Sequence, residues 1–201
     1  GGLDLGFVPK NKSSLDTADI IAAAGRGKLD VVYLLGADEI DTRALGDSFV
    51  IYQGHHGDAG AHRADAILPG AAYTEKNATY VNTEGRVQRA ALAAFPVGEA
   101  KEDWAIIRAL SDTMGKKLPY DSLPDLRRRM ADINPLFATP DETSKAPWGN
   151  TGDVGTTRDT AFEYPIDNFY MTDAISRASE IMAECTAVAQ GDNYSATGTN
   201  G

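Results

Sequence analysis

The sequence predicts an α/β fold: an open, mostly parallel sheet flanked by helices, followed by an irregular C-terminal arm and a terminal helix. This prediction rests on three short apolar runs, which lie at residues 31–35, 49–52 and 66–68. Continuous apolar runs of this length are typical of strands buried on both faces of a parallel sheet. Only short helical stretches separate the runs, which favours right-handed crossovers within one sheet.

Composition narrows the classes of function. The chain has 201 residues, 42% hydrophobic and 24% charged, with a net charge of −10. An acidic surface argues against nucleic acid, since phosphate backbones bind basic faces. The single cysteine, Cys185, leaves no partner for a disulfide within the chain. No apolar run approaches the roughly 20 residues of a membrane span, so no direct insertion is expected. The opening at Gly1 reads as part of a longer polypeptide.

The elements between the strands follow from turn and cap residues. Asp16 or Thr17 is placed to begin a short helix that Gly25 ends. A further short helix is expected over residues 41–45, and about one turn over 61–64. Two strands at 79–82 and 86–89 then flank a tight turn, in which Gly85 supplies a positive φ.

The second half is predicted to be helical, then irregular. One amphipathic helix begins at Glu102 or Asp103, and a second begins at Ser122, which has capping-box spacing to Asp125. Many prolines, glycines and threonines follow without an apolar period. The predicted organisation is an α/β domain at 1–133, an irregular linker at 134–168, a C-terminal helix at 169–190 and a disordered tail at 191–201. The terminal helix carries one apolar stripe, formed by Ile175, Ala178, Met182 and Cys185.

Ligands of parallel α/β sheets bind outside the carboxyl ends of the strands. Residues 36–39, 54–60 and 70–74 follow the three strands and should line this edge together. Within it, the spacing Gly54-x-x-Gly57-x-x-Gly60 suggests a nucleotide loop, although glycines of a tight turn explain it better because no phosphate-loop lysine follows.

Three histidines and one aspartate in and just after the same loop suggest a metal site as an alternative. The group comprises His55, His56, Asp58 and His62. Adjacent side chains seldom converge on one ion, so a loop held by imidazole and carboxylate hydrogen bonds is the favoured interpretation. Cys185 lies on the apolar stripe and is interpreted as a small apolar side chain that packs against other residues. The residues by themselves indicate no active site.

The turn at 82–88 concentrates polar side chains: Asn82, Glu84, Arg86 and Gln88. They would either bind a polar cofactor or tie a loop to the sheet. The expectation is that this turn folds back over the carboxyl end of the sheet and that Arg86 is partly buried against a carboxylate, Glu84 or Glu75.

Two motifs in this region resemble the molybdopterin oxidoreductase superfamily. Residues 64–69 read Ala-Asp-Ala-Ile-Leu-Pro, and Glu75 follows; residues 82–88 read Asn-Thr-Glu-Gly-Arg-Val-Gln. More narrowly, several blocks in order resemble the large iron–sulfur subunit, or G-type subunit, of respiratory complex I (NADH:quinone oxidoreductase). These blocks lie at 34–38, 51–58, 102–111, 118–121 and 169–179.

This resemblance implies a function for the whole complex: electrons pass from NADH through FMN and 2Fe-2S and 4Fe-4S clusters to quinone, coupled to proton translocation. The chain would be a structural C-terminal portion, without catalytic or metal-binding residues and without a cluster of its own. Other peripheral-arm subunits would be its partners, on the cytoplasmic or mitochondrial matrix side of the membrane.

The resemblance also implies that molybdopterin is absent. Related enzymes have Glu-Thr where this chain has Gly57-Asp58. If a pterin site were retained, it would involve Asn82, Glu84, Gly85 and Arg86. Two alternatives stay open: part of an active molybdopterin-dependent oxidoreductase, such as a formate dehydrogenase, and a nucleotide-binding module.

Overall fold

A three-stranded sheet organises the first part of the chain. The computed structural model describes residues 1–9, 14–143, 145 and 155–191. Its strands are β1 (Val31–Leu35), β2 (Phe49–Gly54) and β3 (Ala66–Pro69), in that spatial order. Both pairings are parallel, with Val31 opposite Phe49 and Ile51 opposite Ala66. The predicted parallel sheet is therefore confirmed.

Short helices cover one face of this sheet. They are α1 (Thr17–Gly25), a 3-10 helix at Thr42–Leu45, and α2 (Ala59–Arg63). Asp16 caps α1 by accepting a hydrogen bond from the Asp19 amide at 2.9 Å. The core between helices and strands consists of Ala24, Val32, Leu34, Leu45, Val50, Tyr52 and Ala61.

The prediction that the strands are buried on both faces is wrong. Successive side chains of a strand point to opposite faces. Val32 and Leu34 enter the core, whereas Val31 and Leu35 are 54% and 51% exposed. Phe49, opposite Val31 in the register, is 48% exposed. In the part of the chain described, one face of the sheet is therefore buried against the helices. The other face exposes apolar side chains.

An antiparallel hairpin and two helices complete this unit, which spans Gly1–Thr143. The hairpin strands are β4 (Ala78–Val81) and β5 (Val87–Ala90); the helices are α3 (Asp103–Thr113) and α4 (Leu123–Ile133). These elements agree with the prediction, and Ser122 caps α4 by accepting from the Asp125 amide at 3.3 Å. A 3-10 helix, Pro135–Ala138, lies within the stretch assigned to the linker, and its Phe137 is 4% exposed.

The second unit spans Ser144–Gly201. It contains a 3-10 helix (Phe169–Met171), α5 (Ala174–Arg177) and α6 (Glu180–Gln190). The single helix predicted over this region is interrupted, because Ser179 adopts an extended backbone and caps α6 by accepting from the Met182 amide. Of the predicted tail, only Gly191 is described.

This interruption divides the predicted apolar stripe. Ile175 lies in α5 and Ala178 follows it, and both are exposed, whereas Met182 and Cys185 lie in α6 and are half-buried. The buried position of α6 is Ala183, at 5% exposure. No helix in the described ranges has both the length and the apolar character needed to cross a bilayer.

Candidate functional site

Backbone hydrogen bonds hold the three predicted loops together at the carboxyl edge of the sheet. The Gly36 amide donates to the Gln53 carbonyl at 2.8 Å, and the Gly70 amide donates to the Gly54 carbonyl at 2.8 Å. The loops after β1, β2 and β3 therefore meet, as the parallel topology predicted. The side chains between them form two hydrogen-bonded networks.

The first network is centred on the buried carboxylate of Asp38, which is 9% exposed. Its Oδ2 accepts from the Tyr52 hydroxyl at 2.9 Å, and its Oδ1 accepts from the Gly60 amide at 3.0 Å. Burial, followed by the hydrogen bond to Asp38, raises the pKa of Tyr52. The hydroxyl therefore stays protonated and acts as the donor to Asp38.

Close packing around Tyr52 explains two glycines of the Gly-x-x-Gly-x-x-Gly spacing. A Cβ on Gly60 would lie 2.6 Å from Tyr52 Cε2 and 2.8 Å from Asp38 Oδ1. A Cβ on Gly54 would also collide with the Tyr52 side chain. Gly54 is the last residue of β2 and Gly60 lies in α2, and neither has a φ in the left-handed region, so the tight-turn interpretation is wrong for both. The aromatic ring itself occupies the space beside them.

The second network joins strands β1 and β2 to the start of α3. The Tyr33 hydroxyl donates to Gln53 Oε1, and Gln53 Nε2 donates to Asp103 Oδ1 at 2.9 Å. Lys76 Nζ pairs with the other oxygen of Asp103 at 2.5 Å. Gln53 is fully buried, and this chain of contacts satisfies both ends of its amide. Burial, then the charge of Asp103, raises the pKa of Tyr33.

Hydrogen bonds hold the histidine-bearing loop. The Nδ1 atoms of His55 and His56 lie 2.6 Å apart, so one ring donates and the other accepts. Burial, then the positive charges of His56 and Lys76, lowers the pKa of His55. The Asp58 carboxylate caps α2 by accepting from the Ala59 amide. Within the described ranges, no three His, Cys, Asp or Glu side chains are arranged to hold a metal.

The turn at residues 82–86 forms the tip of the β4–β5 hairpin. Asn82 Oδ1 accepts from the amides of Glu84 and Arg86 at 3.0 and 2.9 Å, and Gly85 has a φ of 81°. Arg86 pairs with Glu84 at 3.0 Å, but their side chains are 38% and 62% exposed. Arg86 is thus partly buried and pairs with the Glu84 carboxylate, as predicted, whereas Glu84 itself is exposed. The Asx turn holds both residues at the tip of the hairpin.

Sequence reasoning missed the role of Gln53 and Asp103. The sequence patterns gave Gln53 no role of its own and placed Asp103 only at the start of a helix. The available signal was a polar residue directly after an apolar strand, since a buried amide requires partners. The identity of its partner, 50 residues away, had no local signal.

Comparisons with known protein families identify the family of this chain. Residues 1–113 match the family described as molybdopterin oxidoreductase. The chain belongs to this family. Residues 141–185 match the family described as the C-terminal part of the G subunit of NADH-ubiquinone oxidoreductase. Among solved structures, acetylene hydratase from Pelobacter acetylenicus is similar with a TM-score of 0.46 and 20% identity, over 59% of this chain and 18% of that one.

Similar sequences agree with the narrower resemblance. The NADH-ubiquinone oxidoreductase 75 kDa subunit of Reclinomonas americana is 44% identical over 94% of this chain and 27% of its own length. The mitochondrial 78 kDa subunit of Candida albicans is 50% identical over 79% of this chain and 24% of its own. The resemblance to this type of subunit is thus confirmed, and the chain spans about a quarter of the length of these relatives.

The residues at the carboxyl edge do not fit the cofactor that the family name implies. A pterin cofactor carries phosphate and many polar ring atoms, which need free donors and acceptors. Here Asp38 engages the Gly60 amide, Asp103 engages Lys76, and the ring of Tyr52 fills the space beside the glycines. Among the described residues, no buried side-chain nitrogen or oxygen lacks a hydrogen-bond partner.

Proposed function

We propose that this chain is a structural C-terminal portion of the large iron–sulfur subunit of NADH:quinone oxidoreductase. The complex passes electrons from NADH through FMN and iron–sulfur clusters to quinone and translocates protons. One observation carries the proposal: ordered matches at 1–113 and 141–185, together with 44% identity to such a subunit over 191 residues.

The role proposed for this portion is assembly, without a pterin, metal or cluster of its own. The self-satisfied networks at the sheet edge support this role, because their polar groups are engaged with one another. A site that binds a ligand instead presents a few convergent polar groups to a cavity. The clusters would be held by other parts of the full-length subunit.

Its proposed partners are the other peripheral-arm subunits of the complex. The proposed location is peripheral, on the matrix side of the mitochondrial membrane or the cytoplasmic side of a bacterial one. The word mitochondrial in the name of the Candida albicans relative supports the first of these settings.

A glycine substitution tests the assembly role in the whole complex. Gly60→Val would collide with the Tyr52 ring, whereas Gly155→Val is a matched control, because a Cβ at Gly155 meets no atom of the described residues within 4 Å. We expect the Gly60 variant to lower the amount of assembled complex and to leave turnover per assembled complex unchanged. Normal assembly with reduced turnover per complex would contradict a structural role.

Metal analysis of the full-length subunit separates the proposal from an active molybdopterin oxidoreductase such as a formate dehydrogenase. Iron without molybdenum is expected, and stoichiometric molybdenum would overturn the proposal. The alternative of a nucleotide-binding module would be supported by micromolar nucleotide binding that Gly60→Val abolishes.

A further inference from the structure

A cavity of about 330 Å³ lies between β5, α4 and the 3-10 helix Pro135–Ala138. Its lining residues come from these three elements and not from the loops at the sheet edge. Three arginines line it: Arg89, Arg127 and Arg128. Apolar groups form the remaining wall, among them Pro124, Ala131 and Phe137. This guanidinium-lined cavity belongs to a chain whose net charge is −10, so its local charge is opposite to that of the protein as a whole.

Helix periodicity and strand register bring these groups together. Pro124, Arg127 and Ala131 are three and four residues apart, so they share one face of α4. On the hairpin, Thr79 pairs with Arg89 across the two strands, so both side chains point to the same face. Arg127 Nε donates to the Thr79 hydroxyl at 3.3 Å, which brings that guanidinium to the Arg89 side of the hairpin.

Two of the three guanidiniums lack a carboxylate partner among the described residues. Arg127 donates to neutral oxygens, the Thr79 hydroxyl and the Ala78 carbonyl, each at 3.3 Å. The exposed side chain of Arg89 forms no hydrogen bond or ion pair with any residue that the structure describes. Arg128, by contrast, is 70% exposed and is paired with Asp125 at 3.0 Å.

The shifted pKa of Arg127 agrees with the view that no anion neutralises the neighbouring charges of Arg89 and Arg127. Burial, then the positive charge of Arg89, lowers the pKa of Arg127, and Glu102 offsets this only in part. Glu102 is itself engaged by the Asn77 amide at 2.8 Å and by the Trp104 indole at 2.5 Å. An anion between Arg89 and Arg127 would remove their mutual repulsion.

We propose that this pocket binds a small phosphate monoester with an apolar body. A phosphate monoester carries about −1.5 to −2 charges at neutral pH, which matches two unpaired guanidiniums. Guanidinium forks present parallel N–H groups to phosphate oxygens. Pro124, Ala131 and Phe137 would cover the apolar body, and the volume lies within the range of small-molecule sites.

Calorimetric titration of the full-length protein with phenyl phosphate tests this site. Arg89→Met should weaken binding roughly tenfold or more, the loss expected for one charge-assisted contact. This variant removes no hydrogen bond within the described chain, so the fold should persist. Arg43→Met is the matched control, because Arg43 is 90% exposed and pairs only with Asp41 among the described residues; it should leave binding unchanged.

Other probes test the chemistry of the ligand. Inorganic phosphate should bind more weakly than phenyl phosphate, and benzyl alcohol should not bind. Arg127→Met should abolish binding, with circular dichroism as the check on folding because Arg127 also contacts the hairpin. The proposal fails if phenyl phosphate gives no heat at roughly 1 mM, or if Arg89→Met and Arg43→Met bind alike.

A titration of the assembled complex distinguishes a ligand site from a subunit contact. Binding of phenyl phosphate both to the isolated full-length protein and to the assembled complex supports the proposal. Binding to the separate protein alone would overturn it, because an acidic segment of a neighbouring subunit would then occupy the pocket.

Discussion

Removing the Tyr52 hydroxyl is the sharpest test of the network at the sheet edge. Tyr52 is 2% exposed, and its hydroxyl donates to the Asp38 carboxylate at 2.9 Å. Tyr52→Phe keeps the ring that fills the space between Gly54 and Gly60, so it deletes the hydrogen bond without opening a large cavity.

The expected loss of unfolding free energy is about 2 kcal/mol. Hydrogen bonds to charged groups contribute roughly 1.5–3 kcal/mol. The lower half of this range applies, because the other oxygen of Asp38 keeps its bond from the Gly60 amide. For a chain of this size, each kcal/mol lowers Tm by about 2–4 °C, so a fall of roughly 4–8 °C is expected.

Urea unfolding followed by circular dichroism measures this loss. Tyr80→Phe is the matched control, because Tyr80 is 45% exposed and its hydroxyl makes no hydrogen bond in the described chain. That variant should stay within about 0.5 kcal/mol of the parent. If Tyr52→Phe also stayed within this limit, the hydroxyl–carboxylate bond would not stabilise the fold and the reasoning would be refuted.

Three further predictions use the same unfolding assay. Arg86→Ala should cost less than about 1 kcal/mol, because its pair with Glu84 is exposed; a loss of several kcal/mol would point to a buried pair after all. The folded pKa of His55 lies below its ordinary value of 6.5, so the unfolded chain takes up the proton first. Stability should therefore fall as pH drops through about 6.5, and His55→Asn should flatten that dependence; an unchanged slope would argue against it. Ser122→Ala should cost about 1 kcal/mol through loss of the α4 cap, whereas Ser122→Asp should retain most of the stability.

Local patterns predicted the elements that depend on near neighbours. The parallel sheet followed from three apolar runs with short crossovers, and the caps at Asp16 and Ser122 followed from side chains that reach an amide three residues on. The hairpin followed from Gly85, whose positive φ needs no distant partner. For the caps and the turn, the interaction is formed within a few residues, so the sequence window contains all its participants.

Patterns that extend over longer segments were less reliable. The apolar stripe at the C-terminus has helical spacing, but Ser179 competes locally for the backbone and begins a new helix. Continuous apolar strands suggested two covered faces, yet Val31, Leu35 and Phe49 are exposed at about half their surface. The sequence pattern shows which residues are apolar, but it does not show whether another element of the fold covers them.

Sequence alone therefore determined the order of the five strands and of helices α1 to α4, the parallel topology and the meeting of three loops at one edge, because strand direction and connection length fix where the carboxyl ends lie. Only the tertiary structure decided what those loops do. The contacts of Asp38 with Tyr52 and of Gln53 with Asp103 join residues 14 and 50 positions apart. Hydrogen bonds of this kind depend on distances between separately folded elements, which no local pattern records. The ion pair of Arg86 with Glu84 is local, but the exposure of each side chain depends on which elements lie beside the hairpin tip.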